Sequence, residues 1–356
     1  MKIELLTDRI QEMFKSGCGH FVASDINRKG MFVGETSSPW DNENKWRPWA
    51  LIFNGEPQVP LQLQDFNLRS RAYSINDNGE VVGSMQRFGE EKTTPFYYHN
   101  GELLQLPVPR ESIETIATHI NNNGLIAGTY RPRSRRGGID FPRTCVWKKD
   151  EGFKPTTLDL EGEIGEAIAK AKVVYQGTEK RDFITTEPQY VNDNDEVLFD
   201  LCRVGGNLES YPMVWKNGVY RPLFREDWGK CPVVDSVVLT EDGKSAGQQH
   251  TQWSAVAGSW FSKEGSYTEL DYTSIRGVSA RGMLGNMIVG NGQRLDLSFI
   301  GTYWNNPDSR IGTMDDWLTP QCHGWFQHVW CAKDDHMIVS GYVKGENQWR
   351  VSIDKK

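Results

Sequence analysis

Ser74-Ile75-Asn76-Asp77-Asn78-Gly79-Glu80-Val81-Val82-Gly83 is the stretch that decides the fold of this 356-residue chain. Ile75 ends an apolar strand. The tetrad Asn76-Asp77-Asn78-Gly79 then turns the backbone, because Asn and Asp side chains bond their own main chain and Gly accepts positive φ without a Cβ clash. The β-branched run from Val81 returns as a second strand. Downstream, Pro95-Phe96-Tyr97-Tyr98-His99 reads as an aromatic third strand, and Asn100-Gly101 is a hairpin turn into Glu102-Leu103-Leu104.

The same unit recurs along the chain. Asp25-Ile26-Asn27-Arg28-Lys29-Gly30 and His119-Ile120-Asn121-Asn122-Asn123-Gly124 are close copies, and Tyr190-Val191-Asn192-Asp193-Asn194-Asp195 is a looser one. Segments anchored at Leu239, Val278 and Ala332 complete a set of seven. The anchors Ile26, Ile75, Ile120, Val191, Leu239, Val278 and Ala332 are 49, 45, 71, 48, 39 and 54 residues apart. A period of this size marks one supersecondary unit used repeatedly. The long interval places an insertion at about 161–187, between units three and four. Its Ala, Glu and Lys content, with apolar Ile164 and Ile168, favours a short helix.

Four strands per unit and seven units predict an all-β fold, a seven-bladed β-propeller of four-stranded antiparallel blades, with the whole of 1–356 as one domain. A linear solenoid would need capping repeats, and the sequence shows none. The last unit runs out at Gln348-Trp349-Arg350-Val351-Ser352-Ile353, which matches a third strand. Met1-Lys2-Ile3-Glu4-Leu5-Leu6-Thr7 resembles the missing fourth, so the N-terminal strand is expected to complete the last blade and close the ring.

With Ile-Asn-x-x-Gly-x-Val-x-Gly segments coupled to aromatic-Trp-x-x-Gly segments (Pro212-Met213-Val214-Trp215-Lys216-Asn217-Gly218 is one), the chain resembles the HAF-repeat family. The resemblance covers residues 20–356 and is closest in units one to four. The His-Ala-Phe triplet is absent, and Pro95-Phe96-Tyr97 and Pro212-Met213-Val214 stand near its place. The resemblance implies a propeller-like fold and no single activity.

Composition narrows the function classes. The formal net charge is −7, with a pI near 5.6, which lacks the basic footprint of a sequence-specific nucleic-acid binder. No run of about 18–20 apolar residues predicts a membrane span. The first residues lack a signal-peptide core, and six cysteines in a chain this long do not form a disulfide scaffold; a cytoplasmic monomer is the expectation. The 13 Trp, 12 Tyr and 15 Phe are mostly assigned to packing between flat sheets.

The regular turns share one end of the blades, and the long, dissimilar loops share the other. Function is expected on the variable loops. Trp40, Asp41, Trp46 and Arg47 would offer stacking rings and polar hooks. Arg131, Arg133, Arg135 and Arg136 would clamp an anion or acidic partner. Two positions before each anchor lie Ser24, Tyr73, Thr118, Gln189, Val237, Arg276 and Trp330; one before lie Asp25, Ser74, His119, Tyr190, Val238, Gly277 and Cys331. Tyr73 and Gln189 join the candidate ligand-binding set, and Asp25, His119, Tyr190 and Arg276 form a candidate acid–base set. Cys18, His20, Cys322 and His323 would present two thiolates and two imidazoles to zinc if the ring closes. Their spacing follows no finger or ribbon pattern and buried free cysteine is common, so no metal and no cofactor are expected.

The chain carries no Gly-x-Ser-x-Gly, phosphate loop, dinucleotide fingerprint or His-Glu-x-x-His. The leading expectation is a non-enzymatic binding module for a protein or glycan. The alternative is a hydrolase or lyase acting on a saccharide or anionic small molecule at the channel mouth. A structural repeat protein with weak contacts is the third.

Overall fold

The computed structural model describes residues 2–6, 21–37, 48–63, 67–133, 142–158, 183–203, 209–223, 233–250, 257–263, 266–271, 275, 277–294, 298–314, 325–333, 335–342 and 346–352. The predicted insertion lies almost wholly outside them.

The described chain is all-β apart from short 3-10 turns. After β1 (Lys2–Leu5), the first unit is β2 (Phe21–Ile26), β3 (Phe32–Ser37), β4 (Pro48–Asn54) and β5 (Glu56–Gln58). The second is β6 (Leu68–Ile75), β7 (Val81–Arg87), β8 (Thr93–His99) and β9 (Glu102–Gln105). The third is β10 (Ser112–Ile120), β11 (Leu125–Pro132), β12 (Arg143–Lys148) and β13 (Thr156–Thr157). The fourth is β14 (Phe183–Val191), β15 (Val197–Arg203), β16 (Glu209–Lys216) and β17 (Val219–Pro222). The fifth is β18 (Val233–Leu239), β19 (Ser245–His250), β20 (Ala257–Lys263) and β21 (Ser266–Glu269). The sixth is β22 (Gly277–Leu284), β23 (Met287–Gln293), β24 (Phe299–Trp304) and β25 (Gly312–Thr313), and the last unit supplies β26 (Trp325–Lys333), β27 (His336–Tyr342) and β28 (Glu346–Ser352).

Each unit pairs antiparallel in chain order, and one parallel pair, Glu114 with Thr93, joins the second and third into a continuous ladder. The fourth place in the last sheet is taken by β1, antiparallel to β28 with Lys2 opposite Ser352 and Leu5 opposite Trp349. Leading strands of consecutive units pack side by side, and β26 packs against β2.

The core is divided among the interfaces between units. Val33, Ile52, Ile75 and Phe96 fill the first. Val82, Ile126 and Trp147 fill the next. Leu6, Phe32, Phe53, Cys331 and Ile338 form one cluster shared by the first and last units, in which Phe32 stacks on Phe53 at 4.5 Å between centroids. Each such side chain, taken fully out of water, contributes about 1.5–3 kcal/mol. The aromatic richness of the sequence is therefore spent largely on holding flat sheets face to face.

A β-bulge interrupts every leading strand near its end: the extra residue is Ser24, Tyr73, Thr118, Gln189, Val237, Arg281 and Trp330 in turn. Bulging bends the strand and re-aims its side chains. The Gly that ends the Val-Val-Gly signature answers this kink. Gly83 lies opposite Ala72, and a Cβ there would meet the Arg71 carbonyl oxygen at 2.0 Å; Gly34, Gly128 and Gly290 are equally crowded. No side chain fits.

The sixth unit corrects the sequence reading. Its anchor is Met283, not Val278, and its bulge residue is Arg281, not Arg276. Ala280-Arg281-Gly282 looks like a polar turn but lies within β22. The chain turns later, through the two-residue loop Gly285-Asn286, with Gly285 at φ 59. Such a loop needs no polar tetrad, only positive φ, so the tetrad signal was missing where the turn is. Arg276 itself lies outside the described residues.

Candidate functional site

The tetrads are turns, and they are also a belt. In each of the first four units the leading Asn accepts its own turn's N–H groups through Oδ1; Asn76, for example, accepts from Asn78 N and Glu80 N, both at 3.0 Å. Its Nδ2 then donates to the next unit. Asn27 donates to the Asn76 carbonyl at 2.9 Å, Asn76 to Asn121 at 2.8 Å, Asn121 to Asn192 at 2.8 Å and Asn192 to Thr240 at 3.3 Å. A second row runs beside it: Arg28 N donates to Asp77 Oδ1, Asp77 N to Asn122 Oδ1, Asn122 N to Asp193 Oδ1 and Asp193 N to Glu241 Oε1, at 2.8–2.9 Å. Arg28 reaches over the middle, 3.7 Å from Asp77 and 3.6 Å from Asp193.

Glu80, the fifth residue of its turn, anchors the belt from below. It is 2% exposed and accepts from Tyr97 at 2.6 Å, from Asn76 and from Lys149 of the third unit. Burial alone would raise its pKa, but bonds from Lys149, Tyr97 and Asn76 hold it below the ordinary carboxylate value. Burial and the Glu80 bond push the Tyr97 phenol up to about 12. Glu196 repeats the theme with Arg221 at 2.9 Å.

Beneath the belt lie the residues that follow the bulges. Asp25 accepts from Ser74 Oγ at 2.6 Å, Ile75 N at 3.0 Å and Ile26 N at 2.8 Å. His119 lies with its ring centroid 6.4 Å from that of Tyr190 and bonds the Gln189 backbone. Burial, and then the charge of Lys333, depress the His119 pKa to about 4, so its imidazole is neutral at pH 7. Tyr190 is raised, by burial first. Burial alone would lower Lys333; Tyr190, Asp25, Asp77 and Asp193 together outweigh it and hold the ammonium above its usual value.

A cavity of about 190 Å³ opens at the turn end of the molecule. Its lining includes Arg28, Asp193, Glu241, Tyr190, Met283 and Lys333. It lies where the belt stops: the sixth and last units turn through two-residue loops, against five-residue turns in units one to five. The sequence reading put function at the opposite end.

Of the candidate acid–base set, the structure brings Asp25, His119 and Tyr190 into one electrostatic neighbourhood. Tyr73 and Gln189 are bulge residues, part-buried. Arg131 is half-exposed and pairs with Glu114 at 3.2 Å, and exposed Arg133 donates its N–H to the Glu111 carbonyl at 3.0 Å. Trp40, Asp41, Trp46, Arg47, Arg135, Arg136, Cys18, His20, Cys322 and His323 lie outside the described residues. Among the described residues no three metal-type side chains converge, and no helix is long and apolar enough to cross a membrane.

Sequence reasoning missed Lys333. The signal was present: it takes the place after the anchor that Asn27, Asn76, Asn121 and Asn192 hold in the first four units. Glu241 was missed too. It follows Thr240 as Asp77 follows Asn76, so strict alignment of the fifth turn exposes it.

No family model and no curated protein matches this chain. Solved structures do. A prolyl endopeptidase matches at TM-score 0.62 and 10% identity over 98% of this chain and 50% of its own, so the chain spans half that enzyme's length. The β-propeller domain of the Trilobed protease from Pyrococcus furiosus matches at TM-score 0.59 and 8% identity, covering 94% of this chain and 96% of its own. This chain has a β-propeller scaffold. An oligogalacturonate lyase from Vibrio parahaemolyticus is similar as well, at TM-score 0.54 and 10% identity, covering 94% and 90%. At such identities the propeller likeness speaks for fold and not for activity.

Proposed function

We propose that this propeller is a non-enzymatic binding module, seven-bladed and closed by β1, whose long loops at the end away from the belt recognise a protein or glycan. Seven leading strands with the same bulge, the pairing of β1 with β28 and the cluster shared by first and last units support the closed ring. Membership of the HAF-repeat family is part of the same proposal, carried by the Asn-led turns.

The observation that carries the binding reading is the state of Asp25. Its carboxylate accepts three bonds, one from Ile26 N of its own strand and two, from Ser74 and Ile75, that tie the first unit to the second, so the acid of the candidate catalytic set is used as a structural clamp. The other described members of that set are tuned away from neutrality, His119 downward and Tyr190 upward. A general acid or base works best with its pKa near the operating pH. Binding should therefore reside in Trp40, Trp46, Arg131 and Arg133. The test is a panel of neutral and acidic glycans probed with wild type, W40A/W46A, R131A/R133A and H119A. Loss with the loop variants and retention with H119A is expected; loss with H119A alone refutes the loop-face reading.

The second reading, a hydrolase or lyase acting on a saccharide or anionic small molecule, draws on the neutral imidazole beside Tyr190. It predicts turnover of acidic oligosaccharide that His119→Ala abolishes.

A further inference from the structure

We propose that the cavity at the belt end is a binding site for one neutral sugar ring, with the Lys333 ammonium as its principal donor. This site is separate from the loop face, and stands or falls independently of it.

Three observations lead there. First, Lys333 is half-buried and lines the cavity, and among the described residues its ammonium makes no hydrogen bond or salt bridge. The surrounding acidic groups favour its charge through space, but its N–H donors are left for a ligand to accept from. The neighbouring carboxylates are engaged elsewhere. Asp25 holds Ser74 and Ile75, and Asp193 holds Asn122 through both oxygens.

Second, the lining is balanced. Arg28 and Lys333 face Asp193 and Glu241, and Asp25 and Asp77 add negative potential around Lys333. A carboxylate or phosphate arriving at Lys333 would meet that acidic field, and a free amine would meet Arg28 and Lys333. A neutral polyol meets neither penalty. Its oxygens accept from Lys333 and Arg28, and its hydroxyls donate to Glu241. Meanwhile Val238, Met283 and Ala332 offer an apolar wall to the C–H face of a pyranose. A few placed polar groups over an apolar wall is the usual composition of a small-molecule site.

Third, the size is right for a single ring. An engineered cavity of about 150 Å³ takes up benzene, and this one is about 190 Å³.

The experiment is saturation-transfer NMR on the full chain with D-glucose, D-galactose and D-mannose, and with D-glucuronate and D-glucosamine as charged counterparts. We expect saturable transfer to at least one neutral hexose, weaker transfer to its charged counterparts, and a loss of affinity of about tenfold or more in Lys333→Met, in line with the strength of charge-assisted hydrogen bonds. Met283→Trp, which fills the cavity and leaves Lys333 in place, should abolish transfer even if Lys333→Met fails to fold. Transfer to no neutral hexose, tighter binding of glucuronate, or undiminished binding in Met283→Trp would each overturn the proposal.

Discussion

The turns of units one to five and those of the sixth and last units do the same topological job by different chemistry. In the first group a five-residue loop led by Asn, or by Thr240, bonds itself, and each of the first four turns is stapled twice to the next. In the second group the reversal is short: Gly285-Asn286 in the sixth unit, and in the last a register that sets Lys333 opposite His336. The cavity lies where the two arrangements meet, lined by Arg28, Asp193 and Glu241 of the first and by Gly285 and Lys333 of the second. A turn that is longer than folding requires becomes lateral structure, and a turn at minimum length becomes a mouth.

The sharpest way to break this contrast is to delete one belt Asn. Asn121 is 2% exposed, donates to the Asn192 carbonyl and to Asp195, and accepts from Asn123 and Leu125. Asn121→Ala orphans those buried groups and should cost about 3 kcal/mol in urea unfolding. Asn286→Ala, on the exposed minimal hairpin, should stay within about 0.5 kcal/mol. Equal losses would erase the distinction.

Acid should separate the levels next. His119 has its pKa lowered from an ordinary value near 6.5 to about 4. The unfolded chain therefore binds a proton first, and stability present above pH 6.5 is lost as pH falls toward 4, on the order of 3 kcal/mol. In His119→Gln that limb of the stability profile should flatten.

Glu80 acts in a lower window. Its depressed pKa means that its contribution is full above the unfolded value, about 4.3, and is lost as pH falls through the folded value. Glu80→Gln should cost about 1–2 kcal/mol at neutral pH and remove this second acid step.

The smallest expected effect is a gain. Replacing Gly285-Asn286 by Asn-Asp-Asn-Gly-Glu would carry the belt into the sixth unit, adding about 1 kcal/mol of stability while narrowing the cavity. A grafted turn that stabilises the protein yet leaves hexose transfer intact would show that the mouth is not formed by turn length.

Much of the architecture was legible in the chain itself. Period, turn residues and alternation fixed the strands, because those signals act over a few residues: Asn76 folds its own turn whatever surrounds it. Even the N-terminal strand was readable, since the last unit ran out one strand short. The residues two positions before the anchor in six of the units prove to be the bulge residues, which the sequence had not marked as bulges, because the bulge keeps a constant offset from the turn. The sixth unit failed because its hairpin carries no polar tetrad to count from.

What the tertiary structure alone decided is what each polar group does. Asp25 read as a potential acid and is a clamp, because Ser74 and Ile75 come from another unit 49 and 50 residues away. Asn76 and Asn121 read as turn formers and are also staples, because their free Nδ2 groups find carbonyls across an interface. Lys333 read as nothing in particular and is the lone ammonium of a cavity, because the chain ends bring the last unit against the first. Local residue type sets the strand and the turn; the partner that fixes a hydrogen bond or a pKa arrives only when distant units pack.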